Sequence, residues 1–382
     1  MSAVLAVNIG YSPRHAAAPL GPGSVPPRRG PRTVIVVLSV SALLCAGATV
    51  MVFWANRQQV VGCRSATARV TCTDAAARTA PGAVVYSGRK FGLRWPASVA
   101  AANGHLWITN SAGNSVTEVG LRPARHPVIW TGPRYGFSAP GPIVAGAGRL
   151  WVANTLANTI TELSARAGTV IRTIARVAPA NSLVLWHSRL WVASTQANSV
   201  CAFNAETGAL VKNFRGYGFS KPSALAMSQG RVWVANLRAG SVTVMDAVTG
   251  AWKATLHAGG FDFSEPAAEV ASRTRLWVAN EASNTITEID TVTRKRVRVI
   301  AGRRYHLDLP AAMVLAGRDL WVANALGNSV TEIDAATGSL VRVLSGAAYG
   351  FDHPTGIASY HGRIWVTNAG AGSITEFAPG RR

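Results

Sequence analysis

Leu320-Trp321-Val322-Ala323-Asn324 decides the fold, because nearly the same five letters return at Ile364-Trp365-Val366-Thr367-Asn368. Outward from it, the anchoring tryptophans are Trp107, Trp151, Trp191, Trp233, Trp277, Trp321 and Trp365, at steps of 44, 40, 42, 44, 44 and 44 residues. A unit of about 40–45 residues is the length of one four-stranded propeller blade and exceeds leucine-rich or ankyrin units. Within the sixth copy, four short runs stand out: Ala311 to Leu315, Leu320 to Asn324, Ser329 to Asp334 and Leu340 to Leu344. Each is rich in Val, Ile, Thr or Trp and bounded by Gly, Asn, Asp or Pro, the pattern of strands and turns. No stretch after residue 83 reads as a helix. The chain is therefore expected to be all-β over residues 83–382, a seven-bladed β-propeller of four-stranded blades.

Asn324 and Asn328 bracket one connection of this copy, and Asp334 to Gly338 makes the next. The pair recurs at Asn280/Asn284, Asn154/Asn158 and Asn110/Asn114, with Gly240 and Gly372 in the second place elsewhere. These residues tolerate positive φ and bond nearby backbone, so they read as turn residues rather than a ligand-binding ring. The tryptophans, flanked by apolar residues on both sides, read as packing between stacked blades. Each contributes up to about 4–6 kcal/mol before entropy.

The seventh copy ends without a fourth strand, while Gly82 to Pro96 matches Gly338 to Pro354 at the other end. Residues 83–88 are thus expected to pair with the C-terminal strands and close the ring, leaving no open edge. Taken together, the Trp-Val-Ala-Asn core, the downstream Asn-Ser-Val-Thr-Glu-Ile-Asp and the Thr-Gly turn resemble the YVTN repeat family of β-propellers, with Trp in place of Tyr. Gly-Arg-Leu-Trp before a polar turn is more distantly similar to the virginiamycin B lyase group. The resemblance implies a seven-bladed propeller, often exported, with no single shared activity.

Residues 1–32 carry six prolines and four arginines without an acid, the composition of a disordered basic cytoplasmic tail. Thr33 to Ala55 is uncharged and long enough to cross a bilayer, and the basic flank before it favours a cytoplasmic N-terminus. Residues 33–55 read as an uncleaved transmembrane signal anchor. Ala46-Gly47-Ala48 leaves signal-peptide cleavage and secretion as the alternative. Either way the propeller is expected outside the cytoplasm. In the linker, residues 56–82, Cys63 and Cys72 are placed to form a small disulfide loop there, and Cys201 reads as a small apolar strand residue.

The net charge is +21, of which +14 falls beyond residue 82. Such a charge favours anionic wall polymers, anionic lipid or nucleic acid, although the basic and aromatic interleaving of a nucleic-acid groove is absent. Two residues before each tryptophan stand His105, Arg149, Arg189, Arg231, Arg275, Asp319 and Arg363. The five arginines are expected on the turn face nearest the tether, either meeting an anionic surface or covering the tryptophan edge. The opposite face collects the loops that enter each blade. Their variable letters before proline are expected to line the channel mouth and bind a ligand: Arg94, Trp95, Ser138, Lys221, Glu265, Asp308, Asp352 and His353.

Blade five also places Glu269 where other inner strands carry Val99, Ile143, Leu225, Met313 and Ile357. An inner-strand charge must be solvated by the channel or paired. Glu265, Glu269, Asp308 and Asp352 are the candidate ligands for a divalent cation, the only cofactor these residues suggest, with His353 or Glu269 as catalytic acid or base. The leading functional expectation is a membrane-tethered, non-catalytic module that binds a protein, a wall polymer or a small ligand. A metal-assisted lyase or hydrolase at the acidic mouth and nucleic-acid binding through the basic surface are the alternatives.

Overall fold

The computed structural model describes residues 82–121 and 126–380. The tail, the apolar stretch 33–55 and Cys63 and Cys72 lie outside the described residues. Seven four-stranded antiparallel sheets follow one another, and their innermost strands are neighbours around a complete circle. In blade six the strands are Pro310–Ala316, Asp319–Asn324, Ser329–Asp334 and Leu340–Ser345, in sequence order from the axis outward. Helical structure among the described residues is limited to single turns in the entering loops, such as Arg303–Tyr305 and Ala258–Phe261.

The ring closes as the sequence indicates. Val84–Tyr86 is the outer strand of blade seven, with Val84 opposite Glu376, Val85 opposite Thr375 and Tyr86 opposite Ile374. Tyr86 also stacks on Trp365 at 5.7 Å, and its hydroxyl donates to Glu376 Oε2 at 2.6 Å. Ala83, Trp321, Leu344, Ile364 and Phe377 share one core, so the first described strand is packed as well as hydrogen-bonded.

All seven repeat tryptophans are buried, and each fills the gap to the following blade. Trp107, for example, packs with Ile143, Leu150 and Val152 of blade two. Trp365 packs with Val99, Leu106 and Ile108, completing the circle. Because a blade is a sheet with a neighbour on both sides, its strands bury alternate side chains in two different interfaces.

The asparagines divide into two kinds, one of them not a turn residue. Asn114, Asn158, Asn198, Asn284 and Asn328 adopt positive φ, as turn residues should. Asn110, Asn154, Asn236, Asn280, Asn324 and Asn368 instead end the second strand and are fully buried. Asn324 Nδ2 donates to Ser329 Oγ at 3.1 Å and Thr331 Oγ1 at 2.9 Å, and Thr331 Oγ1 donates to the Tyr305 carbonyl at 2.7 Å. The same chain recurs at Asn368, Thr375 and Tyr349. The motif asparagine thus anchors the loop that enters its blade, which fixes the face where the variable residues stand.

Candidate functional site

The entering loops meet the inner strands at residues held in an unusual conformation. Trp95, Ala139, Lys221, Glu265, Leu309 and His353 all precede proline and all have φ between 46° and 54°. Non-glycine residues rarely occupy this region, and a residue before proline is normally extended. Neighbouring groups hold them there. The amides of Ala139, Lys221, Leu309 and His353 donate to the side-chain carbonyls of Asn114, Asn198, Asn284 and Asn328 of the preceding blade, at 2.7 to 2.8 Å. The carbonyls of Trp95, Lys221, Glu265, Leu309 and His353 accept from Ser111, Leu237, Glu281, Ala325 and Ala369. Backbone is constant here while side chains change, so the loop face is a rigid rim with a variable inscription.

The predicted rim residues group by blade. Trp95 is 46% exposed and lies 6.1 Å from the His353 ring across the junction of blades one and seven. Burial holds the His353 imidazole below its ordinary range, with neighbouring Asp352 opposing. Arg94 is exposed beside Trp95, and Lys221 is half-buried. Asp352 lies over the tip of its own blade, where a Cβ on Gly370 would stand 2.5 Å from Asp352 Oδ1. Asp308 faces elsewhere, lining a cavity of about 740 Å3 with Arg303, His306 and Leu326.

Glu269 departs from expectation. It is neither solvated by the channel nor paired: both carboxylate oxygens are buried without a hydrogen-bond partner. It stands opposite Val278 in the strand pair, and Val278 packs with Ala226 and Trp233 of blade four. Directly opposed residues share a face, so Glu269 points into the interface between blades four and five. Burial pushes its carboxyl well above the usual range. Among the described residues no three His, Cys, Asp or Glu side chains gather to hold a metal ion. Glu265, Glu269, Asp308 and Asp352 are therefore not brought together as a cation site.

One rim acid escaped the sequence reading. Glu281 follows Asn280, where the other blades carry Ser111, Thr155, Thr195, Leu237, Ala325 and Ala369. It is buried, and desolvation, with the charge of Glu265 adding to it, raises its carboxyl to about 7. Aligning the repeats one position past the asparagine would have exposed it.

On the turn face the five arginines are engaged internally. Glu162 stands opposite Trp151 and is held by Arg149 at 2.5 Å and Arg172 at 2.8 Å. Arg275 reaches Glu288 at 3.2 Å and Asp290 at 2.5 Å, and Arg363 pairs with Glu376. Blades three and four have Ala202 and Val244 in the glutamate's place. Their Arg189 and Arg231 donate instead to the Ala247 and Thr291 carbonyls of the next blade, at 3.3 and 3.2 Å. The five arginines thus find carboxylate or carbonyl partners within the fold. Cys201 is half-buried against the core between blades two and three, and burial pushes its thiol up.

No protein-family profile matches the chain, and no curated protein is detectably similar in sequence. Among solved structures, the virginiamycin B lyase of Staphylococcus aureus superposes with a TM-score of 0.65 at 14% identity, covering 78% of this chain and 99% of that one. A catalytically inactive variant of the lyase from the same organism, solved with quinupristin, gives 0.65 at 14% identity over 78% of this chain and 100% of its own. A streptogramin B lyase gives 0.63 at 14% identity, over 78% and 97% of the two chains. At this identity the likeness establishes the seven-bladed fold and leaves activity open.

Proposed function

We propose that the chain is an extracytoplasmic binding propeller, tethered to the membrane through residues 33–55, whose loop face recognises a partner. The observation that supports this is the rim itself, in which four of the six strained backbone positions before proline are pinned by an asparagine of the preceding blade while their side chains differ. Backbone held in sparsely populated regions persists where the surroundings over-determine it, and such sites cluster at binding and catalytic positions. A preorganised rim also loses little conformational entropy on binding. Exposed Trp95, with Arg94 and His353 beside it, supplies the aromatic and basic anchor such a surface needs. The basic composition favours a protein or wall polymer carrying negative charge.

Site-specific photo-crosslinking in intact cells tests the reading. Crosslinkers at positions 95, 221 and 353 are expected to give adducts that crosslinkers at 149 and 231 on the turn face do not. Equal labelling of the two faces, or none on the rim, rejects it. A reporter fused to either end tests the proposed orientation.

An enzymatic reading is favoured by one feature, the Glu265 and Glu281 pair, because a carboxyl near pH 7 next to a second carboxylate suits general acid–base work. It needs no cation. Opening of quinupristin by the purified chain, lost in Glu281→Gln, would move the assignment to this reading.

A further inference from the structure

The loop that enters blade six departs from its counterparts at three positions, and all three open on one cavity. The entering loops align on a shared aromatic: Phe91, Tyr135, Tyr217, Phe261, Tyr305 and Tyr349. Two residues before it, blade six carries Arg303, where blades two, five and seven carry Pro133, Gly259 and Ala347. Three residues after it stands Asp308, where blades two, four and five carry Ser138, Ser220 and Ser264. Of these loops, only that of blade six combines a base at the first position with an acid at the second. One residue after the aromatic stands His306, where blades one, two, four and seven carry Gly92, Gly136, Gly218 and Gly350. His306 closes the single turn Arg303–Tyr305 at φ 49°, in the left-handed region where glycine meets no steric penalty and histidine does. Such residues cluster at functional positions.

Arg303, His306 and Asp308 line a cavity of about 740 Å3 between the tip of blade five, at Asn284, and the tip of blade six, at Leu326 and Gly327. All three are exposed. Among the described residues Arg303 and Asp308 pair neither with each other nor with a third charge. Their neighbours differ in this respect. Arg304 lies over the Tyr305 ring at 4.9 Å and donates to its hydroxyl at 3.1 Å, and Asp262, the blade-five counterpart of His306, pairs with Arg296. Gly327 keeps the floor clear, since a Cβ there would stand 3.2 Å from Asp308 Cβ. The Asn284 side-chain carbonyl accepts from the Leu309 amide at 2.8 Å, which leaves its amide nitrogen as a donor.

We propose that this cavity binds a zwitterion of dipeptide size, with its carboxylate on Arg303 and its ammonium on Asp308. A guanidinium offers a carboxylate two parallel donors, and a carboxylate takes an ammonium through charge-assisted hydrogen bonds. A ligand of one sign matches one of the two groups and is repelled by the other. Asn284 and His306 are the groups that meet the peptide unit between the two ends. Leu307 and Leu326, the latter 48% exposed, give a ligand side chain its apolar contact. The cavity contains none of Trp95, Lys221 and His353, so this proposal stands or falls separately from the partner binding proposed for the rim.

The test is saturation-transfer NMR on the detergent-solubilised full-length chain with the dipeptide alanyl-leucine, its N-acetylated and C-amidated forms, and maltose as a neutral polyol. Saturable binding of alanyl-leucine in about the millimolar range is expected, about tenfold weaker for each blocked form, with none for maltose. Asp308→Ser and Arg303→Ala introduce residues that other blades carry at the same positions, so both chains are expected to melt as the parent does. Asp308→Ser should bind alanyl-leucine no better than the parent binds the acetylated form, and acetylation should then cost nothing further. Arg303→Ala should stand in the same relation to the amidated form. The proposal is overturned if alanyl-leucine does not saturate, if maltose binds in its place, if both blocked forms bind as tightly as the free dipeptide, or if the folded variants bind as the parent does.

Discussion

Replacing Glu269 by leucine should stabilise the propeller, and by an amount that depends on pH. The carboxyl sits between blades four and five with both oxygens buried and unpartnered. A buried polar group without a hydrogen bond costs about 1–3 kcal/mol even when neutral. Leucine removes that cost and supplies the apolar side chain that Val99, Ile143 and Leu225 provide at the same place in other blades. A gain of about 2 kcal/mol at mildly acid pH is expected, worth roughly 3 °C in melting temperature for a domain of this size.

The pH dependence follows from the proton. Folding raises the Glu269 pKa well above 4.5, so above that pH the folded chain holds a proton that the unfolded chain has released. Stability is then fully present below pH 4.5 and falls by about 1.4 kcal/mol per pH unit until the folded value is reached. The leucine variant lacks that slope, and its advantage should widen from pH 5 to pH 7.5. Glu269→Gln separates the two effects, since it keeps a buried polar group but loses the proton. Urea unfolding of the full-length chain at several pH values measures both quantities. If leucine destabilises, or if its gain is the same at every pH, the carboxylate is paired or hydrated and the placement argued above is wrong.

Asn324→Ala removes the bonds to Ser329 and Thr331 and leaves the hydroxyls buried, so a loss of about 2–3 kcal/mol is expected by denaturant titration. Gly372→Ala tests ring closure: φ is 57° there and a Cβ would lie 2.8 Å from the Leu93 carbonyl of the closing loop. Aggregation or a fall in melting temperature of several degrees should follow, whereas Gly148→Ala, also at positive φ but meeting nothing within 4 Å, should cost only about 1 kcal/mol. Glu281, whose folded pKa is raised to about 7, contributes stability that is complete below pH 4.5 and is lost as pH rises to about 7. Glu281→Gln should flatten the stability profile in that window, and a profile unchanged by the substitution would contradict the burial assigned to this carboxyl.

The architecture was legible because the tryptophan period and the four apolar runs are both local signals. Closure was legible because residues 82–96 repeat the letters of 338–354. The misplacement of Glu269 has a geometric cause. Counting from the proline located the breach in the apolar pattern correctly, but an inner strand offers the channel its edge and gives its side chains to the two flanking blades. A register shift between Pro266 and Ala268 also sets which residues take which side. The buried role of Asn324 was hidden because asparagine in a turn-rich sequence satisfies two readings, and only the hairpin register brings it to Thr331. The internal pairing of the arginines was legible in principle. Arg149 and Glu162, Arg275 and Glu288, and Arg363 and Glu376 are the same distance apart in sequence, which is the offset that a six-residue hairpin imposes.

This pairing changes where the excess charge of the propeller acts. The turn-face arginines meet glutamates or carbonyls, so their charge is largely spent within the fold. Arg89, Lys90, Arg94, Arg134, Arg303 and Arg304, by contrast, are exposed on the loop side, several lying over aromatic rings as Arg134 does over Tyr135 and Arg304 over Tyr305. Val84–Tyr86 runs antiparallel to Ser373–Phe377, which starts at the loop face, so the chain reaches Val84 from the turn face. Under the membrane attachment proposed above, the first described strand is entered from the side opposite the rim. An anionic partner would meet these exposed cations interspersed with the rim carboxylates Glu265, Asp308 and Asp352, so its orientation on the loop face would be set by charges of both signs.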